Sequence, residues 1–595
     1  MPPFFDSKLL SQSSFVGLQL QLIFFQQKIN NKNNSMFILY LKKLHHNIIQ
    51  LFCAAEHVLP AWFLNIWKRT VMSLISFNSV SFYYTDSEDQ VFEDLSLNID
   101  TSWRLGLTGK NGRGKTTFLK LIGKEIQPVK GEVVPGISTF YFPYVPEVPH
   151  SATIEVVKES IAPYTFLESR MKELLAAGDE KSISEYGNLL EQYESADGYE
   201  IDSLIEKEFA GLKMNADLLQ RRFDTLSGGE QTKALIIVLF LKKGSLPLID
   251  EPTDHLDMKG RMILGDYLSA KSGFIIASHD RHFLDLCTDQ IMSINKSDVR
   301  INKGNYSQWK SNMDIEEEFE LRKNENLRRE VTSLDNAAKN RRKWADEKEK
   351  EKIGAYDKGF VGRKSAKQMK RALHIEKRIN EKLEQKKSLL KNAEDERQLK
   401  ISVTKKSTDK LLSLSNVSFK TQDRIIIDNI SLDVHKGDRI AIIGDNGCGK
   451  TSLLKIIMKE LTPDSGIVHK PNHVTISYSR QNPLWEKGLL RDLLRKENID
   501  ETRFRNIMGV MGAWGELFER PLETFSKGQV KKIELCRSFL HPVDLFIWDE
   551  PLNNLDIFSR EQLEAVILKY EPTMIFTEHD QVFVSNIATS VVSLT

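Results

Sequence analysis

At 595 residues, 41% hydrophobic and 28% charged, the chain has the make-up of a globular protein of three or four ordinary domains, not of a fibrous or disordered one. A formal net charge of +1 means that any nucleic-acid surface must be a local patch. The four cysteines, Cys53, Cys287, Cys448 and Cys536, form no CxxC or Cys/His cluster, which argues against a structural metal and for a reducing compartment, the cytoplasm.

Residues 1–71 are rich in Gln, Asn, Phe and Leu and carry seven Lys/Arg against two acids, with only short, broken apolar stretches around Phe15 to Phe25 and Phe37 to Leu41. Neither this segment nor the rest holds the roughly 18 uninterrupted apolar residues of a membrane helix. Alternating strand pattern begins at Met72-Ser73-Leu74-Ile75-Ser76-Phe77. Met72 is the expected native start, with the preceding segment read as upstream sequence; a targeting segment or a membrane-surface helix stay open as alternatives.

An apolar strand, Trp103 to Leu107, then runs into Gly109-Lys110-Asn111-Gly112-Arg113-Gly114-Lys115-Thr116, followed by a helix-like run from Thr117 to Ile122. The same strand, loop and helix recur as Arg439 to Ile443, Gly444-Asp445-Asn446-Gly447-Cys448-Gly449-Lys450-Thr451, and Ser452 to Met458. In such a P-loop the glycines let main-chain N–H groups turn toward phosphates, the lysine reaches the outer phosphates and the threonine hydroxyl holds Mg2+. Each loop is followed in the same order by three further motifs. The first copy has Leu226-Ser227-Gly228-Gly229-Glu230, Leu248-Ile249-Asp250-Glu251-Pro252 and Ser278-His279-Asp280; the second has Phe525-Ser526-Lys527-Gly528-Gln529, Ile547-Trp548-Asp549-Glu550-Pro551 and Glu578-His579-Asp580. Asp250 and Asp549, ending apolar strands, are expected to hold Mg2+. Glu251 and Glu550 would polarise the attacking water, and His279 and His579 would contact the γ-phosphate. One ATPase module is written twice.

The offsets locate an insertion. Lys115 and Lys450 lie 335 positions apart, whereas Ser227 and Ser526, and Asp250 and Asp549, lie 299 apart, so the first copy holds about 36 extra residues between P-loop and Ser227. They fall most naturally between about Ser151 and Leu212, where Leu167, Met171, Leu174 and Leu175, then Ile183, Tyr186, Leu190 and Tyr193, recur at helical spacing. A helical arm is expected there, with a merely longer helical subdomain as the alternative. Pro247 lacks a ladder donor and is expected near the start of its strand.

Between the modules, residues 311–405 read as two long helices: Ile315, Phe319, Leu327, Val331 and Leu334 stripe the first, and Ala372, Ile375, Ile379, Leu383 and Leu390 the second. Gly354, Gly359 and Gly362 interrupt them, giving a hairpin with arms of about 40 residues, roughly 60 Å each at 1.5 Å per residue. From Lys339 to Arg371 thirteen Lys/Arg outnumber five Asp/Glu, with Trp344, Tyr356 and Phe360 interleaved. That local excess suits a phosphate backbone and the aromatics suit stacked bases, with Lys352, Tyr356, Lys358, Phe360, Arg363 and Lys364 as candidate RNA contacts at the tip.

The motif order resembles that of ABC ATPases. The resemblance implies that each Ser/Gly signature closes over the partner module's nucleotide. Site one would pair Lys115 with Ser526 and Gly528, and site two Lys450 with Ser227, Gly228 and Gly229, with Asn111, Gly112, Gly114, Thr116, Thr117, Asn446, Gly447, Gly449, Thr451 and Ser452 completing the loops. It also implies a metal-binding Gln after the strand that follows the P-loop helix. Gln481 stands there in the second copy, while the first has Tyr141-Phe142-Pro143-Tyr144. The adenine-stacking aromatic would be Tyr84 in the first copy, with Thr421 at the matching place of the second. Unequal but hydrolytically competent sites are expected.

With the arm, Thr253-Asp254-His255-Leu256-Asp257, Gly304-Asn305-Tyr306-Ser307 and the hairpin, residues 72–595 resemble the ABC-F family of ribosome-associated ATPases. Ser73 to Asn98, Thr101 to Leu107 and the linker tip are most similar to the branch that protects ribosomes from lincosamides, streptogramin A and pleuromutilins. The fold implied is α/β: two tandem P-loop ABC-type nucleotide-binding domains, 72–310 (arm about 151–212) and 406–595, joined by a long α-helical hairpin at 311–405 (tip about 352–363), with no transmembrane domain. The implied partners are the large ribosomal subunit, through rRNA and P-site tRNA, bound by a monomer that closes on ATP and Mg2+. An ATPase serving a drug exporter with separate membrane chains, and a general factor for stalled ribosomes, are the alternatives.

Overall fold

The computed structural model describes residues 74–84, 90–177, 179–295, 299–350, 409–421, 424–511 and 518–594. The N-terminal segment 1–71 and the linker tip with Lys352, Tyr356, Lys358, Phe360, Arg363 and Lys364 lie outside these residues, as does the return helix expected after them.

The first module opens with an antiparallel sheet ordered β2-β1-β4, made of β1 (Leu74–Tyr83), β2 (Gln90–Asp100) and β4 (Lys130–Val134). Its core strand alternates: Ile75 and Phe77 are buried while Asn78 and Ser79 are exposed, the pattern of a sheet wet on one face. The second sheet runs β5-β6-β7-β3-β8-β9, with β3 (Arg104–Thr108), β5 (Ser138–Phe142), β6 (Ser245–Asp250), β7 (Phe274–Ala277), β8 (Gln290–Ile294) and an antiparallel edge, β9 (Val299–Lys303). All four residues of β7 are buried, as a parallel strand covered on both faces requires. Pro247 is the third residue of β6, opposite Phe140.

The second module repeats this plan. Its sheets are β11-β10-β13 and β14-β15-β16-β12-β17, from β10 (Lys410–Thr421), β11 (Arg424–His435), β12 (Arg439–Ile443), β13 (Ser465–His469), β14 (Ile476–Ser479), β15 (Leu545–Asp549), β16 (Met574–Thr577) and β17 (Ser590–Ser593). Even a local irregularity is copied. Ser79 and Asn416 both bulge their strands at positive φ, and the neighbouring strand crosses each bulge at a glycine, Gly131 or Gly466, where a Cβ would collide with main-chain oxygen.

The first P-loop leads into α1 (Lys115–Ile122), whose Phe118 stacks on Phe77 with centroids 4.8 Å apart. Four helices then follow: α2 (Thr153–Ile161), α3 (Tyr164–Ala177), α4 (Glu180–Ser195) and α5 (Ile201–Gly211). Among the described residues the second module has two helices at the matching place, Leu490–Lys496 and Glu501–Val510, which leaves α3 and α4 as the additional pair. They pack through Tyr164, Leu167, Leu174 and Tyr193, and Arg170 bridges to Glu185 at 3.0 Å. Two residues of the expected apolar stripes, Leu175 and Ile183, are each 62% exposed, because a two-helix arm has a covering partner on one side only.

Helix α6 (Gly228–Leu241) carries the first signature, α7 (Met258–Ser269) and α8 (Arg281–Cys287) flank β7, and the linker begins with α9 (Tyr306–Lys350). At 45 residues α9 spans about 67 Å. It starts five residues ahead of the expected 311 because Tyr306 and Trp309 are buried in the first module's core, which the apolar stripe from Ile315 onward does not announce. Ile315 and Phe319 are themselves exposed. In the second module α10 (Lys450–Ile457) follows the P-loop, α11 (Leu490–Lys496) and α12 (Glu501–Val510) form the helical subdomain, and α13 (Lys527–Ser538), α14 (Ile557–Tyr570) and α15 (Gln581–Ile587) complete the fold. No helix among the described residues is long and apolar enough to cross a membrane.

Trp309 is 2% exposed and its Nε1 has no hydrogen-bond partner, so its contribution is packing alone. Trp309→Ala should cost the first module about 3–5 kcal/mol, read as a lower urea midpoint at unchanged slope.

Candidate active sites between the modules

Both P-loops reach the same geometry by the same local means. Gly114 and Gly449 sit at φ 93° and 98° where the chain turns into α1 and α10, a conformation that a side chain would strain. Gly112 and Gly447, at φ 77° and 80°, have open space where a Cβ would stand, leaving the main-chain N–H groups an unobstructed concavity. Gly109 and Gly444 abut main-chain oxygens of Ile294 and Leu594. Lys115 Nζ donates to Gly109 O and Lys450 Nζ to Gly444 O, each at 2.8 Å. Burial lowers the Lys115 pKa, against the pull of Glu251, Asp556 and Asp250.

The loops face each other's module. In site one, Asn111 Nδ2 donates to Asn554 O at 3.0 Å and Asn111 N to Asp556 Oδ2 at 3.1 Å, and Gly528 abuts the Asn111 side chain so closely that a Cβ would lie 2.8 Å from Nδ2. In site two, Asn446 Nδ2 donates to His255 O at 3.3 Å and Lys259 bridges to Asp445 at 3.0 Å. Here a cavity of roughly 1180 Å³ joins Lys450, Thr451, Ser452, Gln481, Glu550 and His579 of the second module to Ser227, Gly228 and Gly229 of the first. Ser227 and Ser526 each cap their signature helix in a capping box with Glu230 and Gln529. Tyr84 stands at the end of β1, its hydroxyl 2.9 Å from Thr117 Oγ1, whereas the described wall of the site-two cavity has Ile426 on that side and its phenyl ring, Phe525, comes from the stretch leading into the signature helix.

The residues around the two glutamates differ. Glu251 and Glu550 both adopt positive φ, 49° and 47°, a strained backbone shared by both sites. Gln481 Nε2 donates to Glu550 Oε2 at 2.8 Å, and Asn553 Nδ2 donates to the same oxygen. The first module offers neither donor. Strand register puts Tyr144 opposite Gln481's role, but its ring lies against Phe140 and its hydroxyl is buried without a partner. Asp254 occupies the place of Asn553. Burial, with the Asp254 and Asp250 carboxylates beside it, pushes Glu251 up to about 8. Burial also pushes Glu550 up, but His579, Gln481 and Asn553 outweigh it and hold its carboxyl below the usual range. His279, 3.4 Å from Glu251, is held neutral by burial and by Lys115 and Arg560.

Sequence reasoning missed Tyr141, whose hydroxyl donates to Asp250 Oδ2 at 2.9 Å beside that of Thr116 at 2.7 Å. It stands three residues before the position that matches Gln481, and only the strand register shows which of the two tyrosines turns inward.

The side chains fit ATP and Mg2+. Asp549 Oδ2, His579 Nε2 and Glu251 Oε1 are buried with no hydrogen-bond partner, an arrangement that costs on the order of 1–3 kcal/mol per atom unless a ligand completes it.

The ABC transporter family model matches residues 92–254 and 427–553, one stretch in each module. Ribosome protection protein VmlR of Bacillus subtilis is 28% identical over 528 residues, covering 87% of this chain and 86% of its own. Energy-dependent translational throttle protein EttA of Haemophilus influenzae is 27% identical over 520 residues, covering 84% and 88%. A solved complex of archaeal ribosomal stalk protein aP1 with archaeal ribosome recycling factor aABCE1 superposes with a TM-score of 0.54 at 17% identity over 87% of each chain, a likeness of fold.

A glutamate raised from its ordinary 4.5 to about 8 is protonated in the folded chain while the unfolded chain has lost its proton, so its contribution to stability falls as pH rises between those values. Glu251→Gln should therefore match wild type below about pH 4.5 and exceed it in nucleotide-free melting temperature at about pH 9.

Proposed function

Since the chain is an ABC-F family ATPase with two ABC domains, we propose that it binds the ribosome at the tRNA exit site in its ATP-closed state and protects the peptidyl-transferase centre from lincosamide, streptogramin A and pleuromutilin antibiotics. The observation that carries this reading is the root of α9. Tyr306 and Trp309 anchor it in the first module, and Tyr306 OH and Lys310 contact Glu561 of the second at 3.2 and 2.9 Å, so a helix of about 67 Å leaves the chain at the line where the modules meet. Closure on ATP then sets the aim of the linker, whose tip residues Lys352, Tyr356, Lys358, Phe360, Arg363 and Lys364 meet rRNA and P-site tRNA. Similarity to VmlR, named a ribosome protection protein, supports the drug-protective form.

In the proposed cycle, Gly109, Asn111, Gly112, Gly114 and Lys115, and Gly444, Asn446, Gly447, Gly449 and Lys450, hold the phosphates. Thr116 with Asp250, and Thr451 with Asp549 and Gln481, would hold Mg2+, which offsets phosphate charge. Glu251 and Glu550 orient and deprotonate the attacking water, with His279 and His579 at the γ-phosphate. Ser526 with Gly528 and Ser227 with Gly228 and Gly229 close the sites from across the interface. Hydrolysis opens the modules and ends the ribosome-bound lifetime.

Glu251→Gln together with Glu550→Gln should trap the protein on ribosomes; cosedimentation no better than wild type would sink the mechanism. The comparable match to EttA, named a translational throttle, favours a second reading, a general translation factor. Expression in a drug-susceptible Gram-positive host separates them. Protection predicts raised inhibitory concentrations for the three drug classes at unchanged drug uptake. Unchanged inhibitory concentrations favour the general factor, and reduced uptake would favour export.

A further inference from the structure

The turns after β7 and β16, which carry His279 and His579, are the switch loops; Glu578 is the residue before His579, where the first module has Ser278. It is 3% exposed, buried behind the site-two cavity, whose wall includes Glu550 and His579. A carboxylate so placed costs several kcal/mol unless its oxygens are satisfied, and both are. Oε1 accepts the main-chain N–H of Leu552 at 2.6 Å and Oε2 that of His579 at 3.0 Å. With both oxygens committed to the main chain, Glu578 does not itself face the nucleotide.

The first module does without this carboxylate. Ser278 Oγ lies 3.1 Å from Thr253 Oγ1 and accepts from Asp280 N at 3.2 Å, and the N–H of His279 is taken instead by Glu251 Oε2 at 3.1 Å. The glutamate expected to activate water thus doubles as a support for the switch loop in site one. In site two those tasks are divided: Glu578 supports the switch loop, and Glu550 is held by side-chain donors from Gln481 and Asn553. Leu552 belongs to the Pro551-Leu552-Asn553-Asn554 turn that carries Asn553, so Glu578 also fixes the residue that holds Glu550.

We propose that Glu578 is a positioning residue of site two: by taking the main-chain N–H groups of His579 and Leu552 it frees the Glu550 carboxylate from the switch loop and keeps Asn553 against it. Site two then hydrolyses ATP without first breaking a glutamate-to-main-chain bond, while site one must release Glu251 from His279. The proposal rests on the reading of Glu251 and Glu550 as the water-activating groups.

Single-turnover hydrolysis and ATP affinity of the full chain test it. In a Glu251→Gln background, which leaves site two active, Glu578→Ser should slow hydrolysis by about tenfold or more, with the ATP Kd within about threefold, because orientation is lost and binding groups are not. Glu578→Gln, which keeps one acceptor oxygen in the same volume, should fall between and guards against a serine variant that does not fold. In a Glu550→Gln background, Glu578→Ser should leave site-one hydrolysis unchanged. An unchanged rate for both variants in the first background would overturn the proposal. Equal loss in both backgrounds would also overturn it, since that marks general damage. Hydrolysis by the Glu251→Gln, Glu550→Gln double variant as fast as by either single variant would overturn the glutamate assignment itself, and the proposal with it.

Discussion

Asn111 and Asn446 are the points on which the two-site arrangement turns. Each belongs to a P-loop, and each spends its side-chain amide on a main-chain carbonyl of the opposite module, Asn554 O and His255 O. A loop bound to the partner's turn has the partner's signature helix delivered with it, because Gly528 packs against Asn554 O and Gly229 against His255 O at the starts of α13 and α6. The nucleotide sites are therefore properties of the pair. Neither module alone brings Lys450 to Ser227, or Asn111 to Gly528.

Repetition has not produced equivalence. Site one holds Asn111 with two bonds across the interface, one of them to a carboxylate that Lys532 and main-chain donors keep charged, whereas the second loop relies on one long amide bond and the exposed Lys259–Asp445 pair. An exposed pair of that kind contributes roughly 0–1 kcal/mol, so the apposition is firmer at site one. The surroundings of the two glutamates divide the other way, with more donors around Glu550 than around Glu251.

What was legible in the sequence was what is local. P-loops, signature helices and the acidic strand ends are contiguous, and the 36-residue offset gave the additional pair α3 and α4 by subtraction. The replacement of Gln481 by Tyr144 was visible as a pattern, but that Tyr144 turns away while Tyr141 reaches Asp250 depends on pleat and register, which two tyrosines three residues apart do not disclose. Nor does periodicity show the true start of α9, since Tyr306 and Trp309 are apolar for the sake of the first module's core and not of the linker's stripe. Glu578 escaped for a further reason: its partners are main-chain N–H groups, one from its own loop and one from another strand connection, which carry no sequence signal at all.

The same helix of the second module, α14, grips both the switch region of the first module and the root of the linker. Glu564 pairs with Arg281, two residues after His279, and Glu561, one turn earlier on that helix, takes Tyr306 and Lys310. Arg281 and Glu564 are each about one-tenth exposed, so parting them leaves an uncompensated buried charge, a penalty of about 3–5 kcal/mol when one partner is lost. The Lys310–Glu561 pair is about one-quarter exposed and weaker. A displacement of the second module therefore loads the weaker contact first: α14 keeps its buried pair with Arg281, and the hold of Glu561 on Tyr306 and Lys310 decides how far the direction of α9 follows the second module.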